Sequence, residues 1–159
     1  MKIKKVNASD DWLTPIVLYR LMNRRFKFDD FDPCPPCNNI EEFDGLNVEW
    51  ADRTFCNPPY SQYLKESFIF KALQESHKGK LAVLLIPVST STSIFHKLIV
   101  PNARVEFVKG RVKFEGLDKS GNWVNPRTGR MPLPNVPPEA PEISRSGQTD
   151  SMIVIFGEE

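Results

Sequence analysis

The run from Leu81 to Ile86 is continuously apolar and is closed by Pro87. A strand that is apolar at every position has two faces to bury, so it belongs in the middle of a sheet covered on both sides. At seven residues, Leu81 to Pro87 is far short of the ~20 needed to span a bilayer. Any fold for this chain must therefore supply neighbours for this strand within the sheet and layers above and below it.

The covering layers are legible on either side. Thr14-Pro15 predicts a helix start, with a hydroxyl N-cap followed by proline at the first helical position. Val17, Leu18, Leu21 and Met22 then recur at helical spacing and are expected to face the core. Phe26 to Phe31 reads as a strand halted by Asp32-Pro33 and the prolines up to Pro36. Residues 38 to 52 are polar and contain the turn signal Asp44-Gly45. Arg53 to Cys56 reads as a short strand leading into Asn57-Pro58-Pro59-Tyr60.

A helix is expected from about Gln62 to His77, with Leu64, Phe68, Ala72 and Leu73 on one face and Gly79 as its stop. A third is expected from Ser93 to Val100, closed by Pro101. Val105 to Val108 and Arg111 to Phe114 alternate as strands around Gly110, and Met152 to Phe156 reads as the last strand. Helices alternating with strands predict an α/β fold with a mainly parallel central sheet flanked by helices.

The 159 residues suit one domain. Residues 115 to 150 lack apolar periodicity and hold six prolines (Pro126, Pro132, Pro134, Pro137, Pro138 and Pro141). A loop of that length inside a compact domain is either functional or disordered. The formal charge of +1 excludes a strongly basic coat protein but not a local basic patch. Basic residues bunch at Lys2, Lys4 and Lys5, at Arg20, Arg24, Arg25 and Lys27, and at Lys109, Arg111 and Lys113. The first twelve residues have no signal-peptide stretch, so a cytoplasmic protein without a membrane partner is expected.

Chemistry concentrates at Asn57 to Tyr60. Ligands of open α/β sheets lie beyond the carboxyl ends of strands. Two consecutive prolines stiffen the backbone there. The turn can hold a planar amine, with Asn57 Oδ1 and the Pro58 carbonyl accepting its two hydrogens and Tyr60 stacking on the attached ring. Such a grip would orient the nitrogen and favour localisation of its lone pair toward an incoming methyl group.

Cys34, Cys37 and Cys56 are too few for a disulfide scaffold. Cys34-Pro35-Pro36-Cys37 invites a redox or zinc reading, but no second ligand pair accompanies it, and an incidental pair in a tight turn is expected. No metal site is expected. His77 reads as a charge partner at a helix C-terminus and His96 as surface or core filler. Ser89 to Ser93 could cap the following helix or line a base pocket.

The motifs fall in a telling order: Thr14-Pro15, Asp32 to Pro35, Asp44 to Leu46, Asn57 to Tyr60, Leu84 to Pro87 and Gly110 to Phe114. Together they resemble the phage-type DNA N6-adenine methyltransferases (the Dam-like family) from about Asp11 to Phe156. The resemblance implies a compact Rossmann-like fold that transfers a methyl group from S-adenosylmethionine to N6 of a flipped adenine in DNA. It implies that Asn57, Pro58, Pro59 and Tyr60 are catalytic. Trp12, Thr14, Pro15, Asp32, Pro33 and Cys34 would form the cofactor pocket, with Asp44 taking a cofactor hydroxyl or amine.

Arg111, Trp123, Arg127 and Arg130 are the candidate DNA contacts, with Arg145 beside them. No glycine precedes Gly45, and the stretch from Asp32 to Asn57 is short, so the fold would be pared down. The same motif serves RNA and protein-glutamine methyltransferases. Those substrates and a catalytically silent binding module stay open as alternatives. Without a separate target-recognition domain, specificity would be short or loose, or would rest on a homodimer.

Overall fold

The computed structural model describes residues 12–35, 43–112, 114–117, 123–124 and 149–159. In chain order the elements are β1 (Trp12–Leu13), α1 (Ile16–Phe26), β2 (Arg53–Cys56), α2 (Gln62–Ser76) and β3 (Leu81–Pro87). A π-helical turn (Phe95–Ile99) then runs into α3 (Val100–Asn102), followed by β4 (Ala103–Phe107), β5 (Glu115–Leu117), β6 (Trp123–Val124) and β7 (Ser151–Phe156). The main sheet has the order β2-β3-β7-β4, and β1-β5-β6 form a small second sheet.

β3 is central, as its composition requires. It pairs in parallel with β2 and antiparallel with β7, and its first six residues are buried. Successive side chains of a strand point to opposite faces. Ala82, Leu84 and Ile86 accordingly join Phe68, Ile69 and Ala72 of α2, while Leu81, Val83 and Leu85 join Met22 and Phe26 of α1. The result is a helix layer on each face of the sheet.

The sheet is mixed: β2, β3 and β4 run one way and β7 runs the other. β7 lies between β3 and β4 and runs against both, which leaves β2-β3 as the parallel pair. Strand patterns carry no direction. The alternation of apolar residues in β7 is the same in either sense, so the sequence pattern does not set it.

Other expectations change for local reasons. Pro15, with φ −54° and ψ 131°, is itself the N-cap of α1, and no side chain caps the helix. The helix therefore starts one residue later than Thr14-Pro15 suggests. Its buried stripe is rotated: Met22 is 4% exposed, whereas Val17 and Leu21 are 67% and 57% exposed. Phe26 to Phe31 is not a strand. Phe26 ends the helix, Lys27 caps it in the left-handed conformation, and the chain touches β2 at Asp29. There the Asp29 N–H donates to the Arg53 carbonyl and Asp29 Oδ2 accepts the Arg53 N–H, at 2.8 Å each.

Arg111, Val112 and Phe114 are also not in a strand, although Val112 and Phe114 are buried. Strands β5 and β6 lie inside the stretch expected to be loop. The third helix forms, but Pro101 does not close it: the helix runs on to Asn102, with a π-helical turn ahead of the proline. Proline has no N–H to donate and its ring crowds the preceding turn, and the wider turn accommodates both. α2 and β7 form as expected, and Gly79 ends α2's turn at φ 84°.

At the base of α2, Glu75 is buried with a 1% exposed side chain, facing Lys71 at 2.6 Å, Lys78 at 3.0 Å and Lys80 at 3.3 Å. Burial pushes its carboxyl up, but the hydrogen bonds from Lys71 and Lys78 and the charges around it outweigh this and hold it at about 2. A carboxyl held below its unfolded value of about 4.3 stabilises the fold above that pH. The contribution, on the order of 3 kcal/mol, is lost as pH falls from about 4.3 toward 2. Melting curves from pH 5 to 2 should show this loss, and Glu75→Gln should start less stable and flatten the dependence. An unchanged pH profile in that variant would exclude the role.

Candidate active site

β2 ends at Cys56, paired with Leu84 of β3, and the chain leaves it as Asn57-Pro58-Pro59-Tyr60 while β3 continues to Pro87. Pro58 and Pro59 are buried, which anchors the turn between Cys56, wholly buried in the core, and the start of α2. Asn57 lines a cleft of about 220 Å³ together with Thr14, Tyr19, Asp30, Asp32 and Cys34. Ile16, Asp29, Phe31 and Phe55 complete its wall.

Tyr60 is held from two sides. Its hydroxyl donates to the Leu85 carbonyl at 3.3 Å, and its ring meets Phe114 edge-to-face with centroids 5.5 Å apart. Burial, and then the neighbouring Cys56, push its hydroxyl pKa well up, so it stays a donor. Phe114 is a site neighbour that sequence reasoning did not single out. Its place at the end of Gly110 to Phe114 was visible, but not its contact across the fold.

The cleft is acidic. Asp32 folds its own turn, with Oδ1 accepting the Cys34 N–H at 2.8 Å, in the manner of an Asx turn. Tyr19 crosses Phe55 at 5.5 Å, and its hydroxyl pKa is raised by burial and then by Asp32 and Asp30. Asp30 and Tyr19 were not foreseen as site residues. The run of aspartates at 29, 30 and 32 was their available signal.

Thr14 comes to the cleft because the helix starts late. With Pro15 as N-cap, its hydroxyl caps no helical N–H, and Oγ1 is buried without a hydrogen-bond partner among the described residues. A buried hydroxyl without a partner calls for an explanation, and this one lies in a cleft wall.

Of the other expected cofactor residues, Pro33 and Asp44 are not among those lining this cleft. Asp44 Oδ1 accepts the Leu46 N–H at 2.9 Å and Oδ2 accepts from Asn47 Nδ2 at 2.6 Å, so both oxygens hold their own turn. That turn carries Gly45 against the Pro33 carbonyl, and the Gly45 carbonyl accepts Trp50 Nε1–H at 2.8 Å. The Asp44 turn thus packs against the Asp32 to Cys34 turn. Pro15 starts α1, and Trp12 lies in β1, which pairs with β5.

Arg111 is exposed, 3.8 Å from Asp150. Trp123 lies in β6, while Arg127, Arg130, Arg145, Lys2, Lys4, Lys5, Lys113 and Cys37 fall outside the described residues. Cys34 and Cys56 are free, and burial followed by Cys34 pushes the Cys56 thiol up, against any role as a nucleophile. His77 caps the C-terminus of α2, and His96 bonds the Thr90 carbonyl at 2.7 Å. Thr92 Oγ1 donates to the Ser89 carbonyl and accepts the Phe95 N–H, and Ser89 and Thr92 line a different cavity from Asn57. Among the described residues no helix is long and apolar enough to cross a membrane, and no three His, Cys, Asp or Glu gather to hold a metal ion.

An acidic cleft at the carboxyl end of β2, with the stiffened Asn57 turn in its wall, is the layout of an α/β enzyme acting on a ligand there. The sequence matches the DNA N-6-adenine-methyltransferase (Dam) family over residues 2–158, and the chain belongs to that family. Its activity is therefore methylation of adenine N6 in DNA. No match is found among curated proteins or among solved structures.

Proposed function

We propose that the cleft beside Asn57 takes S-adenosylmethionine and that Asn57 to Tyr60 grip the flipped adenine. The observation that carries this reading is the cleft itself, which joins Asn57 to Thr14, Asp30 and Asp32. The chemistry of the donor set fits the cofactor. Carboxylates complement its cationic ammonium and sulfonium groups or accept its ribose hydroxyls, and the orphaned Thr14 hydroxyl offers a further bond. When bound, S-adenosylmethionine supplies an electrophilic methyl group.

The chain's own residues do the rest. Asn57 Oδ1 and the Pro58 carbonyl accept the two N6 hydrogens and orient the amine, as a preorganised site should. Tyr60 stacks on the base, its ring set by Leu85 and Phe114. The adenine has to leave the duplex, since a stacked base cannot bring N6 into the cleft. Arg111 contacts phosphate beside the site, and Trp123, Arg127 and Arg130 extend that contact. The parallel β2-β3 pair, flanked by helices on both faces, supports a Rossmann-like reading of the fold.

The test is a methyl-transfer assay with S-adenosylmethionine and unmethylated duplex DNA, read as N6-methyladenine by mass spectrometry. Tyr60→Phe keeps the ring and loses the bond to Leu85, so it should retain much of the rate. Tyr60→Ala should lose most of it. Equal single-turnover rates for the two variants would remove the stacking role, and absence of the methylated base from wild-type reactions would remove the reading.

A further inference from the structure

The C-terminal half of α1 lies away from the catalytic turn. Arg20, Arg24 and Lys27 follow one another at i, i+4 and i+7, and so share one face of the helix end. All three are exposed, and among the described residues none of their side chains has a hydrogen-bond or ion-pair partner. They surround a shallow concavity with Asn23 and Phe28. Asn23 Oδ1 is occupied, accepting the Phe28 N–H at 2.9 Å, so its amide contributes N–H donors there. The polar side chains of this concavity thus offer donors, most of them cationic.

Arg25 next to them is different. It is spent on Glu106 and Glu159 at 2.6–3.1 Å and fastens the helix to the sheet. A second observation concerns Lys27, whose φ of 53° lies in the left-handed region that favours glycine. A lysine there is conformationally unfavourable, and no described residue engages its ammonium.

We propose that Arg20, Asn23, Arg24 and Lys27 form a phosphate-binding surface that holds the backbone of the DNA substrate. The inference rests on the DNA-methyltransferase reading. It adds a contact surface to the chain's formal charge of +1, too small to hold DNA by net charge. The row spans about 10 Å of helix, a length over which a duplex presents roughly six charges. It begins one turn from Ile16, which lines the cofactor cleft, so a strand lying along α1 runs toward the site. Arginines one helical turn apart suit successive phosphate contacts, which position DNA without reading its sequence.

The competing explanation is that these cations merely offset the dipole at the helix C-terminus. The two differ in what they predict. DNA binding of the full chain would be measured against salt concentration for wild type, Lys27→Gly and the triple variant Arg20→Gln, Arg24→Gln, Lys27→Gly. Loss of each phosphate contact lowers the slope of log K against log salt by about 0.9. The single variant should lose about one contact's worth, and the triple variant two to three, with roughly tenfold or greater weakening near 0.1 M salt.

Lys27→Gly also relieves the strained backbone, so its melting temperature should hold or rise while DNA affinity falls. Lys97→Gln, an exposed cation on the π-helical turn that packs on the other face of the sheet, should leave the slope alone. Unchanged slopes with a lowered melting temperature would establish the dipole role and overturn the proposal. So would an equal change in Lys97→Gln, which would reduce the effect to net charge. Wild-type protein that methylates adenine while the triple variant keeps its slope overturns this inference alone. Wild-type protein that binds no DNA overturns the reading beneath it as well.

Discussion

Asn57→Ala should lower the single-turnover rate of methyl transfer about 10²–10³-fold while leaving the affinity for S-adenosylmethionine close to that of the unmodified chain. Both halves of the expectation follow from position. Asn57 is the first residue after β2, between fully buried Cys56 and two buried prolines, so its side chain is presented by a backbone that the substitution does not disturb. Alanine removes the acceptor for one N6 hydrogen and with it the orientation of the nitrogen. The aspartates and Thr14 that also line the cleft are untouched. Mass spectrometry of N6-methyladenine gives the rate, and equilibrium dialysis gives cofactor affinity. A rate within tenfold of wild type would take Asn57 out of the reacting centre, and a matching fall in cofactor affinity would make it a cofactor residue.

Gly45→Ala should damage both fold and site, though the residue does not line the cleft. A Cβ there would lie 1.8 Å from the Pro33 oxygen and 2.7 Å from its carbonyl carbon. Both are backbone atoms of a buried residue, held on one side by the Asp32 turn and on the other by the Asp44 turn, so neither can yield cheaply. The cost is expected at about 3–4 kcal/mol, the upper end for forced overpacking. Because the displaced segment carries Asp32 and Cys34, cofactor affinity should fall with stability. A shift on the order of 1 Å in such a group can cost about 10²-fold in rate. Thermal melts and cofactor titration together check this, and a variant with wild-type stability would show that the contact can relax. Unlike Asn57→Ala, this substitution should weaken cofactor binding before chemistry is reached.

Much of this molecule was legible before any coordinates. An all-apolar strand has to be central, and Leu81 to Pro87 is. Leu64, Phe68 and Ala72 recur at helical spacing, and α2 buries them. Asn57 to Tyr60 declared itself because two prolines after a strand stiffen a turn through local covalent geometry alone. These features depend on neighbours along the chain, which a sequence displays.

What the sequence left undecided depends on groups distant along the chain. Direction is one: β7 inserts antiparallel between β3 and β4, and its residues would alternate identically in either sense. Helix phase is another. Val17 and Leu21 suit an apolar stripe as well as Met22 and Phe26 do, and only packing against Phe55 and Val83 selected the second pair. Asp44 reads as a ligand group by type, yet its oxygens are used within its own turn. Thr14 reads as a cap, yet a one-residue shift at Pro15 frees its hydroxyl for the cleft. In each case residue type set what a group is able to do. Tertiary packing chose among those options, because buried volume and hydrogen-bond satisfaction are settled between segments and not within one.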